Sequence, residues 1–402
     1  MPAVIASGVV ALALLWLALA QYELAVFLGF LVLGIVRFEP GLPDVVFSVV
    51  MVVAAATGRY RGRLPLLVSA LLAVLLGLNL VSFIDAIDVS RAARYFLITA
   101  YLVAFAVWLT GYATSHARVR RIMLAYCGGA VTMAAAASAA VLLALPGAQF
   151  LVYEGGQRAQ GLLKDPNVFG PFLVLPLLVL IEELVRPRIL RSRPPVKLVG
   201  IAVLSLGILV SFSRAAWLNA AVAGLVMLGV FALRRRGSRR VVVLALVAVV
   251  LVTLLGGAIA VTGSADFLEQ RARFQQYDAE RFGAQREGLA LVAQYPLGVG
   301  PGQFEVVSPV AAHSLFVRVF AEQGALGFLV ILLLVTLTLG HALVNVQRGI
   351  DTFGVGSAAL LAAWCGILAN SLFIDTLHWR HLWLVAALIW IGSRSRPLRS
   401  RE

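Results

Sequence analysis

The chain has 402 residues, 61% of them hydrophobic and only 13% charged, against about 25% charged in soluble domains. Apolar runs of about span length recur from end to end, which excludes a soluble globular class and gives an all-α, polytopic integral membrane protein. The formal charge of +14 gathers in loops on one side of those runs. It reports topology and contact with anionic membrane lipid, and no nucleic-acid-binding motif competes for it.

The runs fall at about 4–20, 24–36, 44–57, 64–83, 92–114, 122–145, 167–185, 198–212, 215–233, 241–262, 312–345, 353–374 and 381–393. They predict about 12 transmembrane helices, 12 or 13, in one domain over residues 1–402. The first two runs are short, and one is a candidate re-entrant segment. Ala18-Leu19-Ala20 has the look of a cleavage site, but no Lys or Arg precedes the first run, so it is expected to stay as a helix. Cys127 and Cys365 fall inside apolar runs and read as buried thiols, with neither disulfide nor zinc spacing. No internal repeat is visible.

The basic segments "GRYRGR" (58–63), "HARVRR" (116–121), "RPRILRSRPPVK" (186–197), "RRRGSRR" (234–240), Arg348 and "RSRPLRSR" (394–401) hold most of the 33 Lys and Arg residues. The positive-inside rule puts them in the cytoplasm. The opposite, outer face is nearly neutral, so each Arg there needs a local reason.

That face has one long loop, 263–311. Its first part, "SADFLEQRARFQQYDAERFGAQREGLALVAQYP", has helix-forming composition. Phe267, Phe274, Tyr277, Phe282, Leu289 and Val292 give it an expected apolar side. "PLGVGPGQF" (296–304) breaks it with a Pro/Gly turn. The expected result is an ordered, partly helical subdomain over 263–311, lying on the membrane surface as a lid.

Three helix starts open on the same face. In "QRAQGLLKDPNVFGPF" (157–172), Asp165 is a natural N-cap with Pro166 at the first helical position, and Arg158 and Lys164 sit just ahead. In "SFSRAAWL" (211–218), Ser213 can cap the next helix, with Arg214 in its first turn. In "AHSLFVRVFAEQGALGF" (312–328), His313 stands at the mouth of a span. Helix N-termini and Arg forks suit phosphate oxygens, so convergence of these ends would make an anion site.

These segments, in this order, resemble the O-antigen ligase and O-antigen polymerase superfamily of bacterial membrane glycosyltransferases. "QRAQGLLKDPNVFG" is similar to its Arg-x-x-Gly…Pro-Asn segment and "SFSRAAWL" to its Ser-Arg segment. "RFGAQREGLALVAQYPLGVGPGQF" is similar to its Arg…Pro-Leu-Gly-Val-Gly-x-Gly-x-Phe segment. "AHSLFVRVFAEQGALGF" is similar to its His-Asn…Glu-x-Gly-x-x-Gly segment, and "TLHWRHLWL" (376–384) has the family's character. Ser314 departs from the Asn that often follows the His, and Gln285 from a frequent Trp. The resemblance implies a glycosyltransferase-C-like membrane enzyme of the bacterial inner membrane. Its donor would be a glycan on undecaprenyl diphosphate. Its acceptor would be a sugar hydroxyl of lipid A–core for a ligase, the favoured type, or another repeat unit for a polymerase. It implies Arg contacts to the diphosphate, a catalytic or acceptor-positioning His, and no metal or other cofactor.

The residue types support the same chemistry. A departing diphosphate needs its charge stabilised, and no DxD motif or carboxylate cluster offers a metal site. Arg158, Arg214 and Arg281 can supply guanidinium forks, with Lys164, Arg286 and Asn167 as further donor contacts. His313 suits proton removal from the acceptor, and nearby cations would keep its imidazole neutral. His378 and His381, flanking Arg380, are second candidates. Arg318 and Glu322 are spaced i,i+4 and read as a supporting pair, with Ser314 beside His313. The reading from another class is a lipid-linked glycan transporter. Against it, the spans carry no acid at mid-depth except Glu322, and the polar residues cluster at one surface.

Overall fold

The computed structural model describes residues 12–59, 64–153, 155–233, 256–257, 276–308 and 310–393. The start of the first run, the basic segment 234–240, the basic tail and the loop's opening 263–275 lie outside the described residues. So does the expected span at 241–262, apart from residues 256–257. The described chain is helical: α1 (12–20), α2 (Tyr22–Leu31), α3 (Leu42–Ala56), α4 (Leu66–Val81), α5 (Val89–Tyr112), α6 (His116–Leu142) and α7 (Pro166–Val185) come first. Then follow α8 (Pro194–Val210), α9 (Arg214–Leu233), α10 (Gln276–Gln294), α11 (Phe304–Val307), α12 (Leu315–Gln347), α13 (Ser357–Ser371) and α14 (Arg380–Gly392). The one sheet among these residues is a short antiparallel hairpin, β1 (Val152–Tyr153) with β2 (Arg158–Ala159).

Among the described residues, six helical segments are long and apolar enough to cross a membrane, and α2, α3, α8, α13 and α14 are shorter apolar helices. After α2 the chain runs to Val36, whose N–H bonds to the Leu162 carbonyl at 3.0 Å. Successive helices alternate between two faces. Glu23, at the start of α2, pairs with Arg118 and Arg121 and so belongs to the basic face. These two arginines lie inside α6, not in a loop, because Ser115 caps the helix six residues ahead of the apolar run.

On the basic face, Glu182 and Glu183 end α7 as buried acids. Glu183 accepts from the N–H groups of Arg188, Ile189 and Leu190 and from Lys197 Nζ at 3.2 Å, fixing the turn into α8. Glu182 accepts from Ala359 N–H at 3.0 Å. It thus caps α13 from another helix, since the cap residue Gly356 has no side chain and its Cβ would collide with that carboxylate.

The core is built around the last two helices. α13 packs on α7, α9, α12 and α14, and α14 is buried from His381 to Gly392. Both therefore read as continuous apolar runs without a polar stripe, as a helix enclosed by other helices should. The N-terminus of α14 and the C-terminus of α13 meet on the face opposite the basic loops, where the three Ser- and Asp-capped helices α7, α9 and α12 also begin.

Candidate functional site

The expected caps form, and they fix the depth of the site. Asp165 accepts from Asn167 N–H at 2.6 Å to start α7. Ser213 Oγ accepts from Ala216 N–H at 3.2 Å to start α9, and Ser314 Oγ from Val317 N–H at 3.4 Å to start α12. The residues just ahead of the two serines, Phe212 (φ +46°) and His313 (φ +45°), both take the left-handed conformation. Each non-glycine residue held there costs roughly 1–3 kcal/mol and persists only where its surroundings impose it. The turn swings the His313 side chain off the helix axis. Ser314 is buried, and its Oγ also donates to the Ser371 carbonyl at 3.4 Å, so it seats α12 against α13.

Two cavities, each of about 270 Å³, open on this face. The first is polar. It gathers His313, Arg318, Lys164, Asn167 and His378, with His381 beside them, from segments separated by more than half the chain. The second is mostly apolar and holds Arg214 and Arg281, with Leu218, Phe282, Gln285 and Phe373. The segment after α13 is the partition: Phe373 faces the second cavity, and Ile374 and Asp375 face the first. Arg281 holds that partition by donating to the Phe373 carbonyl.

His313 lines the first cavity, close enough to Arg281 of the second for that charge to act on it. Burial, then the charges of Arg281 and Arg318, push its pKa down to about 4, against a smaller opposite pull from Glu305 and Asp375. Its imidazole is therefore neutral at pH 7 and can accept a proton or a hydrogen bond. His378 is also lowered, chiefly by burial. Its Nε2 lies 3.0 Å from Thr99 Oγ1 and its ring packs on Tyr95.

Arg318 and Glu322 form the expected pair at 2.9 Å, but the pair is part of a larger brace. Arg318, 5% exposed, also meets Glu305 and lies 2.8 Å from Asp375. Arg91, on α5, shares Glu305 at 3.0 Å. The "PLGVGPGQF" turn carries Glu305 into this brace through a break in α12. Gly324 is non-helical within it (φ 68°, ψ −173°). The carbonyls of Ala321 and Glu322 are taken by the N–H groups of Val299 and Gly300, both at 3.0 Å. Gly298 lies against the Glu322 backbone, and Gly324 against the Pro296 carbonyl. Gln303 and Asp88 then exchange two hydrogen bonds, at 2.8 and 2.9 Å, fixing the turn to α5. The turn is thus a lock between the long loop and the helix that follows His313.

Several expected donor contacts sit elsewhere. Arg158 is buried behind Asn167; its Nε donates to the Ser211 carbonyl at 3.0 Å and its Nη2 to Asn167 Oδ1 at 3.4 Å. Asn167 Oδ1 also accepts from Ser213 Oγ at 2.7 Å, so Arg158 and Asn167 tie α7 to the cap of α9. Lys164 reaches Glu39 at 3.4 Å on the rim of the first cavity. Arg286 is exposed and lines neither cavity. It follows Arg281 by five residues, which turns it well away from that side chain on a helix of 3.6 residues per turn.

The apolar side expected for the loop helix is also displaced. Phe282 is 43% and Leu289 53% exposed. α10 instead packs on its neighbours through Ala284, Gly288 and Leu291. A Cβ on Gly288 would press on Phe304 and Val317 at 2.7–2.8 Å, so small residues, not aromatic ones, permit the contact. Phe267 and Phe274 lie outside the described residues.

Sequence reasoning passed over Glu305, Asp375, Glu39, Tyr95, Trp379 and the Arg380–Asp44 fork, whose Nε–Oδ1 arm measures 2.7 Å. The signal was the near-neutrality of that face: its arginines are matched by acids, and the acids are their partners. Among the described residues, no group of three or more His, Cys, Asp or Glu is placed to hold a metal ion.

Residues 199–332 match the family model Wzy_C, O-antigen ligase. The match runs from α8 to the middle of α12 and takes in Arg214, Arg281, Arg286, His313, Ser314, Arg318 and Glu322. No curated protein matches the chain. The domain, over about a third of the chain, supports a glycosyltransferase-like membrane enzyme of ligase or polymerase type and membership of the O-antigen ligase superfamily, a polytopic membrane family.

Proposed function

We propose that this O-antigen ligase superfamily member transfers a glycan from undecaprenyl diphosphate to a sugar hydroxyl of lipid A–core, at the periplasmic face of the bacterial inner membrane. The observation that carries the reading is a pair of unlike cavities on either side of residues 373–375, with His313 in one and Arg214 and Arg281 in the other. The cavity with Arg214 and Arg281 has apolar walls and two guanidinium groups, as a lipid-borne diphosphate requires. The cavity with His313 is polar and partly aromatic, as a sugar acceptor requires.

In the transfer, the bond from the donor sugar's anomeric carbon to the diphosphate oxygen breaks, and a bond to the acceptor oxygen forms. Charge builds on the leaving oxygen, where Arg214 and Arg281 stabilise it without reorganisation. The neutral imidazole of His313 receives the acceptor hydroxyl's proton as that oxygen attacks. Arg318, its three carboxylates and the glycine lock hold His313 at that depth. Arg158 and Asn167 act behind the site by positioning the start of α9, and so Arg214. No step requires a metal.

The test is to incubate purified protein with the undecaprenyl-diphosphate glycan, with and without lipid A–core, and to identify the product. Lipid A–core carrying the glycan is expected, with the reaction insensitive to EDTA and abolished in folded Arg214→Ala and His313→Ala variants. Glycan joined to glycan would identify a polymerase. Movement of the donor across vesicles without any glycosidic product would identify a transporter. Full activity of both variants would refute the site.

A further inference from the structure

The two cavities differ in charge. The wall of the second contains Arg214 and Arg281 and, among the described residues, no carboxylate. The first has Lys164, Arg318 and Arg380 as its cations. Against them stand Glu39, Asp165, Glu305 and Asp375. Each of these cations already faces an acid. Lys164 faces Glu39 at 3.4 Å, and Arg380 is gripped by both oxygens of Asp44. Arg318 is outnumbered by Glu305, Glu322 and Asp375. An anion entering this cavity would have to displace a carboxylate to find a cation, and would meet the remaining acids while doing so. One wall is aromatic: the His381 ring lies 5.8 Å from Phe172 and 4.9 Å from Trp379. His381 is 4% exposed, and its Nε2 has no hydrogen-bond partner.

We propose that the first cavity is a subsite for an uncharged sugar ring and excludes a phosphorylated one. Carboxylates accept from hydroxyls, and aromatic edges pack on the apolar faces of a pyranose, so the wall chemistry matches the ligand. The acid excess also keeps the donor's diphosphate out of the acceptor's place, which is specificity by repulsion. The inference deepens the transferase reading and rests on it.

Two soluble acceptor oligosaccharides that differ only by one phosphate on the terminal hexose provide the test. Equilibrium binding to the purified full chain is measured beside the KM for transfer. The phosphorylated acceptor should bind about tenfold more weakly or worse, a gap of at least about 1.4 kcal/mol. Glu39→Gln, which removes one acid at the rim, should narrow that gap. Equal binding of the two acceptors, or a gap indifferent to Glu39→Gln, would overturn the subsite while leaving transfer standing. A clear preference in binding with no transfer to either acceptor would uphold the subsite and overturn the transferase reading instead.

Discussion

Replacing Gly324 by alanine separates a built helix break from an incidental one, because the two cases differ in sign. Within a regular helix, glycine to alanine stabilises by roughly 0.5–1 kcal/mol, since the unfolded chain loses freedom. Gly324 instead sits at φ 68° and ψ −173°, a region reserved for glycine, where a side chain costs about 1–3 kcal/mol. The new Cβ would also collide with the Pro296 carbonyl. Relief requires the 296–300 segment to withdraw, and that breaks the bonds from the Val299 and Gly300 N–H groups. At about 1 kcal/mol for each lost bond plus the strain, Gly324→Ala should destabilise by about 3–5 kcal/mol. Gly340, in the same helix with nothing within 4 Å of its Cβ position, is the control and should gain slightly as alanine. SDS-induced unfolding in detergent, followed by tryptophan fluorescence, reads both. If Gly324→Ala tracks Gly340→Ala, the lock contributes nothing and the reasoning is wrong.

Two further predictions concern charge. His313 titrates at about 4 in the fold against 6.5 ordinarily. Between those values the unfolded chain binds the extra proton, so stability falls as pH drops from about 6.5 to about 4, and His313→Gln should flatten that slope. In the same window transfer should hold at pH 6 and fail as pH passes down through about 4, and Arg281→Gln should raise the His313 titration seen by NMR of labelled histidine. Arg318→Met should destabilise by about 3–5 kcal/mol in the same SDS titration, because Glu305, Glu322 and Asp375 lose their shared cation. A loss of activity at unchanged stability would make Arg318 a substrate contact rather than a brace.

The helices and caps were legible because their causes are local. A twenty-residue apolar run, or a Ser or Asp ahead of one, carries its own explanation. What was not legible depended on distance in the chain. His313, Lys164 and His378 share a cavity because α7, α12 and α14 start at one depth, and nothing near any of them in sequence says so. The acids that answer the arginines come from other segments: Glu305 for Arg91, Asp44 for Arg380, Asp375 for Arg318. A balanced face announces that pairs exist without naming them. The loop helix misled for a different reason. Its aromatic residues looked like a packing face, yet close approach was made by Ala284 and Gly288, and small residues leave no hydrophobic signal.

The glycines set the geometry more tightly than the charges do. A guanidinium with three carboxylates around it would be satisfied in several arrangements, since each oxygen tolerates a range of approach. Gly298 against the Glu322 backbone and Gly324 against the Pro296 carbonyl tolerate very little, because backbone meets backbone with no side chain between. Those contacts fix where the loop joins the broken helix. That junction sets where Glu305 meets Arg318, and with it one of the charges that, after burial and Arg281, hold the His313 pKa down. The charged network therefore reads out a position that the glycines define. For that reason Gly298→Ala should move the His313 titration, although its own position touches neither His313 nor either cavity wall.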